Sequence, residues 1–224
     1  MIKNHKLEGL GRVFSPAAKV FNRKFRLSLA VSSAILCCAA VCFASSDHKG
    51  EKFTSNSGSN EVTVEVDNFG KVAEFYYRGA QPKGEEYSQL AAIGVKTIID
   101  LRDDPKGYAK TLADQAGLKY FNLPMSDKDY PASDAASKFL SLVNNKANWP
   151  VYVHCAGGRH RTGAMTAVFR MAMQGWGVNR AYEEMKDYDF YTRWGHKAMK
   201  KFVFDYYSEL NRRQADQPVD STRQ

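Results

Sequence analysis

From residue 62 onward the chain alternates between two hydrophobic rhythms. Residues 62–66, 74–78, 95–101, 118–123 and Val151–His154 are short runs rich in Val, Ile, Tyr and Phe, with the length and composition of strands. Residues 85–93, 108–116, 132–145, 162–174, 179–188 and 196–212 carry apolar side chains at helical spacing, with no proline inside them. Alternation of this kind predicts an α/β domain: a mainly parallel central sheet flanked by helices. Sheets of that type take ligands at the carboxyl ends of their strands.

The first 44 residues follow a different rule. Residues 1–26 carry Lys3, Lys6, Arg12, Lys19, Arg23, Lys24 and Arg26 against Glu8 alone, and residues 27–44 then run apolar without a charge. A basic stretch followed by an apolar one, with small Ala44 before Ser45, is the pattern of a cleavable signal peptide. The apolar run of 18 residues also reaches the short edge of what spans a bilayer, so an uncleaved membrane anchor is the alternative. Either predicts an exported domain, periplasmic or otherwise extracytoplasmic in a bacterium. Residues 45–60, rich in Ser, Asn, Lys and Gly, read as a flexible linker, residues 61–210 as the catalytic domain, and residues 211–224 as a polar tail.

Removing the leader changes what composition says. The formal net charge is +8, but seven Lys and Arg and one Glu precede residue 45, and what remains has a net charge of +2. The basicity therefore argues against a nucleic-acid partner. Of the four cysteines, Cys37, Cys38 and Cys42 lie in the apolar run, which leaves Cys155 as the one thiol of the domain, unable to form an internal disulfide. No His and Cys cluster has zinc spacing, so neither a metal nor another cofactor is expected.

That thiol sits in His154–Gly163, HCAGGRHRTG, between a strand and a helix. A thiolate is the nucleophilic form of cysteine, and at an ordinary pKa of about 8.5 most of it is protonated at neutral pH. In a glycine-rich turn leading into a helix, successive amides and the helix dipole converge on an anion, whether thiolate or phosphate. Arg161 at the helix start offers a bidentate fork to phosphate oxygens, and the Thr162 hydroxyl is placed to hydrogen-bond the departing thiolate. Cys155, five residues, Arg161 and Thr162-Gly163 resemble the signature of the cysteine-dependent protein tyrosine and dual-specificity phosphatases. The resemblance implies that fold, with Cys155 as nucleophile, Arg161 as phosphate clamp and Thr162 assisting breakdown of a phosphocysteine. It also implies a loop of Ala156, Gly157, Gly158, Arg159 and His160 around the phosphate, and His154 tuning the cysteine. Residues 73–190, with Tyr77-Arg78-Gly79-Ala80-Gln81-Pro82 and the run 94–102, resemble the plant-and-fungal-type atypical dual-specificity phosphatases and their bacterial relatives.

Expulsion of an alkoxide or phenolate needs a proton donor. The segment 122–131 resembles the acid-bearing loop of the dual-specificity phosphatases; Asp127, between Pro124 and Pro131, is the better match, with Asp129 the runner-up and Asp103 or Asp104 further alternatives. Otherwise Asp103 and Asp104 cap the next helix, and Arg78 and Arg102 are structural ion-pair partners. Arg159 and His160 add positive charge beside Arg161, which favours a polyanion such as a phosphoinositide or inositol polyphosphate, although Ala156 stands where relatives specialised for inositol pyrophosphates carry a basic residue. The phosphorylated substrate is thus a phosphoprotein or an inositol-based phosphate. The competing readings are a phosphate-binding module without turnover and a rhodanese-like sulfurtransferase. His48 and His196 read as non-functional, and Tyr188, Tyr191, Trp194, Tyr206 and Tyr207 as core and surface filler.

Overall fold

Strands covered on both faces organise the molecule. The computed structural model describes residues 53–57 and 60–216. Its strands are β1 (Phe53–Ser57), β2 (Asn60–Val64), β3 (Gly70–Ala73), β4 (Tyr76–Gly79), β5 (Thr97–Arg102), β6 (Lys119–Met125) and β7 (Val151–His154). The helices are α1 (Glu86–Ala92), α2 (Ala109–Gln115), α3 (Ala135–Asn144), α4 (His160–Gln174), α5 (Val178–Asp187) and α6 (Lys197–Ala215). β3 to β7 form one sheet in the order β3-β4-β7-β5-β6, parallel except for the antiparallel edge strand β3. The α/β class with a mainly parallel central sheet is as the residue pattern predicts.

Every residue of β5 and β7 is buried. Pleating sends successive side chains to opposite faces, so Ile99, Leu101, Val151 and Val153 enter one apolar cluster while Ile98 and Tyr152 enter another. The first cluster is closed by α3, α4, α5 and α6, through Phe139, Val168, Met185 and Phe202 among others; the second is closed by α1, α2 and Val64 of β2. Helix α4 is buried without interruption from His160 to Phe169, which fixes its first turn against the carboxyl end of β7.

Three local expectations change. The strand expected at 74–78 is split: residues 70–73 and 76–79 are paired antiparallel strands, because Glu74 and Phe75 make the turn between them. Phe75 turns inward there and stacks on Trp149 at 3.8 Å. Residues 53–57, read as linker, pair antiparallel with β2; backbone bonding rather than an apolar run of their own makes them a strand. Helix α6 continues to Ala215, past the expected start of the tail. The leader, and with it the signal peptide or anchor, lies outside the described residues, among which no helix is long and apolar enough to cross a membrane.

Phe139 is fully buried and carries α3 onto the larger cluster, against the ring of Tyr76. Phe139→Ala is expected to destabilise the domain by about 3–5 kcal/mol, read as a lower urea midpoint at unchanged m-value.

Candidate active site

Because β4, β7, β5 and β6 are parallel neighbours, the residues that follow them come to one rim: Gln81 after β4, Cys155 after β7, Asp103 after β5 and Asp127 after β6. Residues distant in sequence meet there through topology alone.

The turn from Cys155 to Arg159 has its carbonyls tied outward. Gln81 N donates to Ala156 O at 3.1 Å, Asn68 Nδ2 to Gly157 O at 3.0 Å, and Arg78 Nη2 to Gly158 O at 2.7 Å. In a trans peptide the N–H opposes the carbonyl, so the amides of Gly157, Gly158 and Arg159 are turned toward the concave side. Gly158 makes the closest approach, at φ 68°: a Cβ there would lie 2.6 Å from the carbonyl carbon of Gly79. A glycine is required by both the backbone angle and the space.

Cys155 stands at the centre, 3% exposed. Burial pushes its thiol up, but the net displacement is downward, because the Thr162 hydroxyl and amide, the Arg161 charge and the Arg159 amide all favour the thiolate. Thr162 Oγ1 is itself buried and has no other hydrogen-bond partner among the described residues, so its dipole is left to the sulfur. His154 is fully buried, and burial first of all holds its imidazole below the ordinary range, hence neutral. Its Nδ1 lies 3.2 Å from Cys155 O, an acceptor, so the proton resides on Nδ1. His154 thus braces the cysteine backbone and adds no charge.

Arg161 Nη1 donates to Asp103 Oδ1 at 2.7 Å and to Met125 O at 3.0 Å, while its buried Nε has no hydrogen-bond partner among the described residues. One corner of the guanidinium is fixed, and the Nε edge is left for a ligand. Asp103 and Asp104 therefore do not cap α2, which has no side-chain cap: Asp103 orients Arg161, and Asp104 pairs with Arg102 at 2.7 Å. Arg102 is the ion-pair partner expected. Arg78 is not; it is fully buried, holds Gly158 O, and lies 3.8 Å over the Tyr188 ring.

The acid-bearing segment distinguishes its two carboxylates. Asp129 Oδ2 accepts from Ser126 Oγ at 2.9 Å, and Asp129 N donates back to the same oxygen, closing a local turn. Asp127 is half-buried, accepts no side-chain hydrogen bond from the described residues, and its charge reaches the His160 ring on α4. His160 is pushed down to about 4, by burial first and then by His196 and Arg159, with Asp127 opposing. It is neutral, and of the two expected extra cations only exposed Arg159 adds charge at the mouth.

Sequence reasoning missed Asn68, gave Gln81 no role of its own within its motif, and misassigned Arg78 and Asp103; His196, read as non-functional, is buried against the His160 ring. Asn68 follows β2 in a left-handed conformation at φ 56°, which its Asp-Asn-Phe-Gly context advertises only as a turn. Nothing local signals the others.

The fold and loop have counterparts among known proteins. Residues 63–223 match the family model described as the tyrosine phosphatase family. The chain is 29% identical over 145 residues to the inositol diphosphatase SIW14 of Saccharomyces cerevisiae, covering 61% of this chain and 50% of the yeast protein. It is 28% identical over 120 residues to the dual specificity protein phosphatase TpbA of Pseudomonas aeruginosa, covering 53% of each. The chain thus spans about half the length of these curated relatives. Among solved structures, the core catalytic domain of the PP-IP phosphatase SIW14 of S. cerevisiae, in complex with citrate, is similar with a TM-score of 0.57 at 26% identity, over 67% of this chain and 91% of that one. The crystal structure of P. aeruginosa TpbA shares the fold, with a TM-score of 0.57 at 24% identity over 67% and 92%.

The electrostatics at Cys155 predict its reactivity. A thiolate favoured by its surroundings forms at lower pH, so iodoacetamide alkylation of Cys155 should reach its half-maximal rate below the ordinary cysteine range. Thr162→Val removes the first of the favourable contributions and should move that midpoint upward.

Proposed function

Because the chain belongs to the tyrosine phosphatase family, we propose that it is a cysteine-dependent phosphatase hydrolysing phosphomonoesters through a phosphocysteine at Cys155. The observation that carries this reading is the set of three loop carbonyls held outward around a thiol whose thiolate is favoured despite burial.

In the first step Cys155 Sγ attacks phosphorus, the S–P bond forms and the P–O bond to the leaving group breaks. The amides from Ala156 to His160 and the Nε edge of Arg161 receive the phosphoryl oxygens, whose charge shifts in the transition state. Asp127 gives its proton to the departing oxygen. In the second step the Asp127 carboxylate takes a proton from water as the water oxygen attacks phosphorus. The S–P bond breaks, phosphate leaves, and the Thr162 hydroxyl stabilises the returning thiolate.

The names of the relatives point to two substrate classes, inositol diphosphates and phosphoproteins. Exposed Arg159 supports the more highly charged of these. The neutral, enclosed His160 takes no part in that preference through charge. The basic and then apolar pattern of residues 1–44 supports an exported enzyme.

Phosphate release from p-nitrophenyl phosphate tests the reading. Cys155→Ser should lower kcat by at least about 10³-fold and Arg161→Lys by about 10²–10³-fold. Equal rates for wild type and Cys155→Ser would leave a phosphate-binding module, and a thiosulfate sulfurtransferase rate above any phosphatase rate would favour the rhodanese-like alternative. Asp127→Asn should abolish the basic limb of the pH–rate profile, whereas Asp129→Asn should keep it.

A further inference from the structure

We propose that His196, at the start of α6, is a positioning residue that fixes the proton-donating segment over the nucleophile loop. The proposal rests on Asp127 being the general acid. His196 Nδ1 lies 2.8 Å from the Asp127 carbonyl oxygen. A carbonyl only accepts, so Nδ1 carries the proton and donates it to the backbone of the residue whose side chain delivers the catalytic proton. The same imidazole stacks on His160 with ring centroids 3.5 Å apart and planes 12° apart. His160 opens α4, one residue before Arg161. One side chain, 69 residues beyond Asp127 in sequence, therefore joins the acid segment after β6 to the helix that begins at the phosphate loop.

The chain around His196 is shaped for this contact. His196 is 6% exposed although its neighbour Trp194 is 79% exposed, and the turn that separates them takes Trp194 to φ 61° and Gly195 to φ 99°. Left-handed backbone at an exposed tryptophan is a conformation disfavoured for its own sake, held only where the surroundings fix it. Gly195 in turn faces the acid segment: only an added Cβ would reach contact with Lys128, at 3.4 Å from Cγ. A second tie runs further along α6, where Tyr130 OH donates to Asp205 Oδ2 at 2.9 Å. The segment 127–130 is held from α6 at both ends. His196 holds the end that bears the acid.

Proton donation is sensitive to placement of the donor, and its loss is felt most when the leaving oxygen is most basic. Two substitutions separate the contributions of the ring. His196→Phe keeps an aromatic ring to stack on His160 and removes the donor to Asp127 O; His196→Asn keeps a donor where Nδ1 was and removes the ring. With the full chain and a series of aryl phosphates, log kcat/KM is plotted against leaving-group pKa. His196→Phe should steepen the slope, with a loss of about 10- to 100-fold on phenyl phosphate that shrinks as the leaving group becomes more acidic. His196→Asn should restore a slope near that of the wild type. Adding His196→Phe to Asp127→Asn should cost nothing more on any substrate, since a positioning residue has nothing left to position.

A uniform loss across the series, or losses that add in the double variant, would reduce His196 to a packing residue. Equal behaviour of His196→Phe and His196→Asn would do the same. If Asp127→Asn itself leaves the slope unchanged, the general-acid reading fails and the proposal with it. A steep Asp127→Asn beside a wild-type-like His196→Phe overturns the proposal alone.

Discussion

A loop can hold an anion with its amides only if each peptide that turns its N–H inward turns its carbonyl into the protein behind it. At the end of β7 three successive carbonyls are directed that way, and each left unpaired in the interior would cost about 1–3 kcal/mol. Asn68, Arg78 and Gln81 meet them, from the turn before β3, from β4 and from just beyond β4. The demands then propagate. Gly158 must lack a Cβ to come against the Gly79 backbone, and Gly79 must lack one because the Tyr152 hydroxyl, bonded to Ala80 O at 2.6 Å, already fills that space. The cup is a property of β4, β7 and the turn before β3 together, and the short loop could not keep its shape alone.

Charge follows the same geometry. Arg78 is fully buried and makes no salt bridge among the described residues, an arrangement that is unfavourable in an apolar interior unless something polarisable and something negative stand in for the carboxylate. The face of Tyr188 and the carbonyl of Gly158 do so. Arg161, also buried, shares one nitrogen with half-exposed Asp103 and keeps an edge free. The Arg161 charge, the Arg159 amide and the Thr162 hydroxyl and amide all act on Cys155 and leave that point short of negative charge. A thiolate or a phosphate supplies what is missing, which is why burial does not win at Cys155.

What the sequence disclosed and what it hid divides along chain distance. The strand before Cys155, the glycine-rich turn and the helix after it are local, and Val151–His154 and α4 lie where periodicity puts them. Pro124 and Pro131 mark the segment that carries Asp127 and Asp129, and the two carboxylates differ in that Asp129 accepts a hydrogen bond from its near neighbour Ser126. The contacts that make the site work are long: Arg78 to Gly158 spans 80 residues, Asn68 to Gly157 spans 89 and Arg161 to Asp103 spans 58. Asp103 before Pro105 has the local look of a helix cap, and nothing in its neighbourhood says that an arginine arrives from α4. His196 follows a tryptophan and a glycine in an exposed turn and reads as surface for the same reason.

Two halves of the chemistry consequently rest on different parts of the chain. The loop of Cys155 is braced by residues 68–81, early in the domain, and the segment proposed to donate the proton by His196 and α6, the last helix described. α6 enters the core through Met199, Phe202 and Val203 and reaches the acid segment from either side of them, through His196 before and Asp205 after. The His160–His196 stack and the bond from Arg161 Nη1 to Met125 O cross between the halves; with His160 neutral, the stack is a link of shape and ring contact. In the two-step reaction proposed for this site, a ring contact with neutral His160 depends less than a salt bridge would on the charge moving among phosphorus, sulfur and carboxylate.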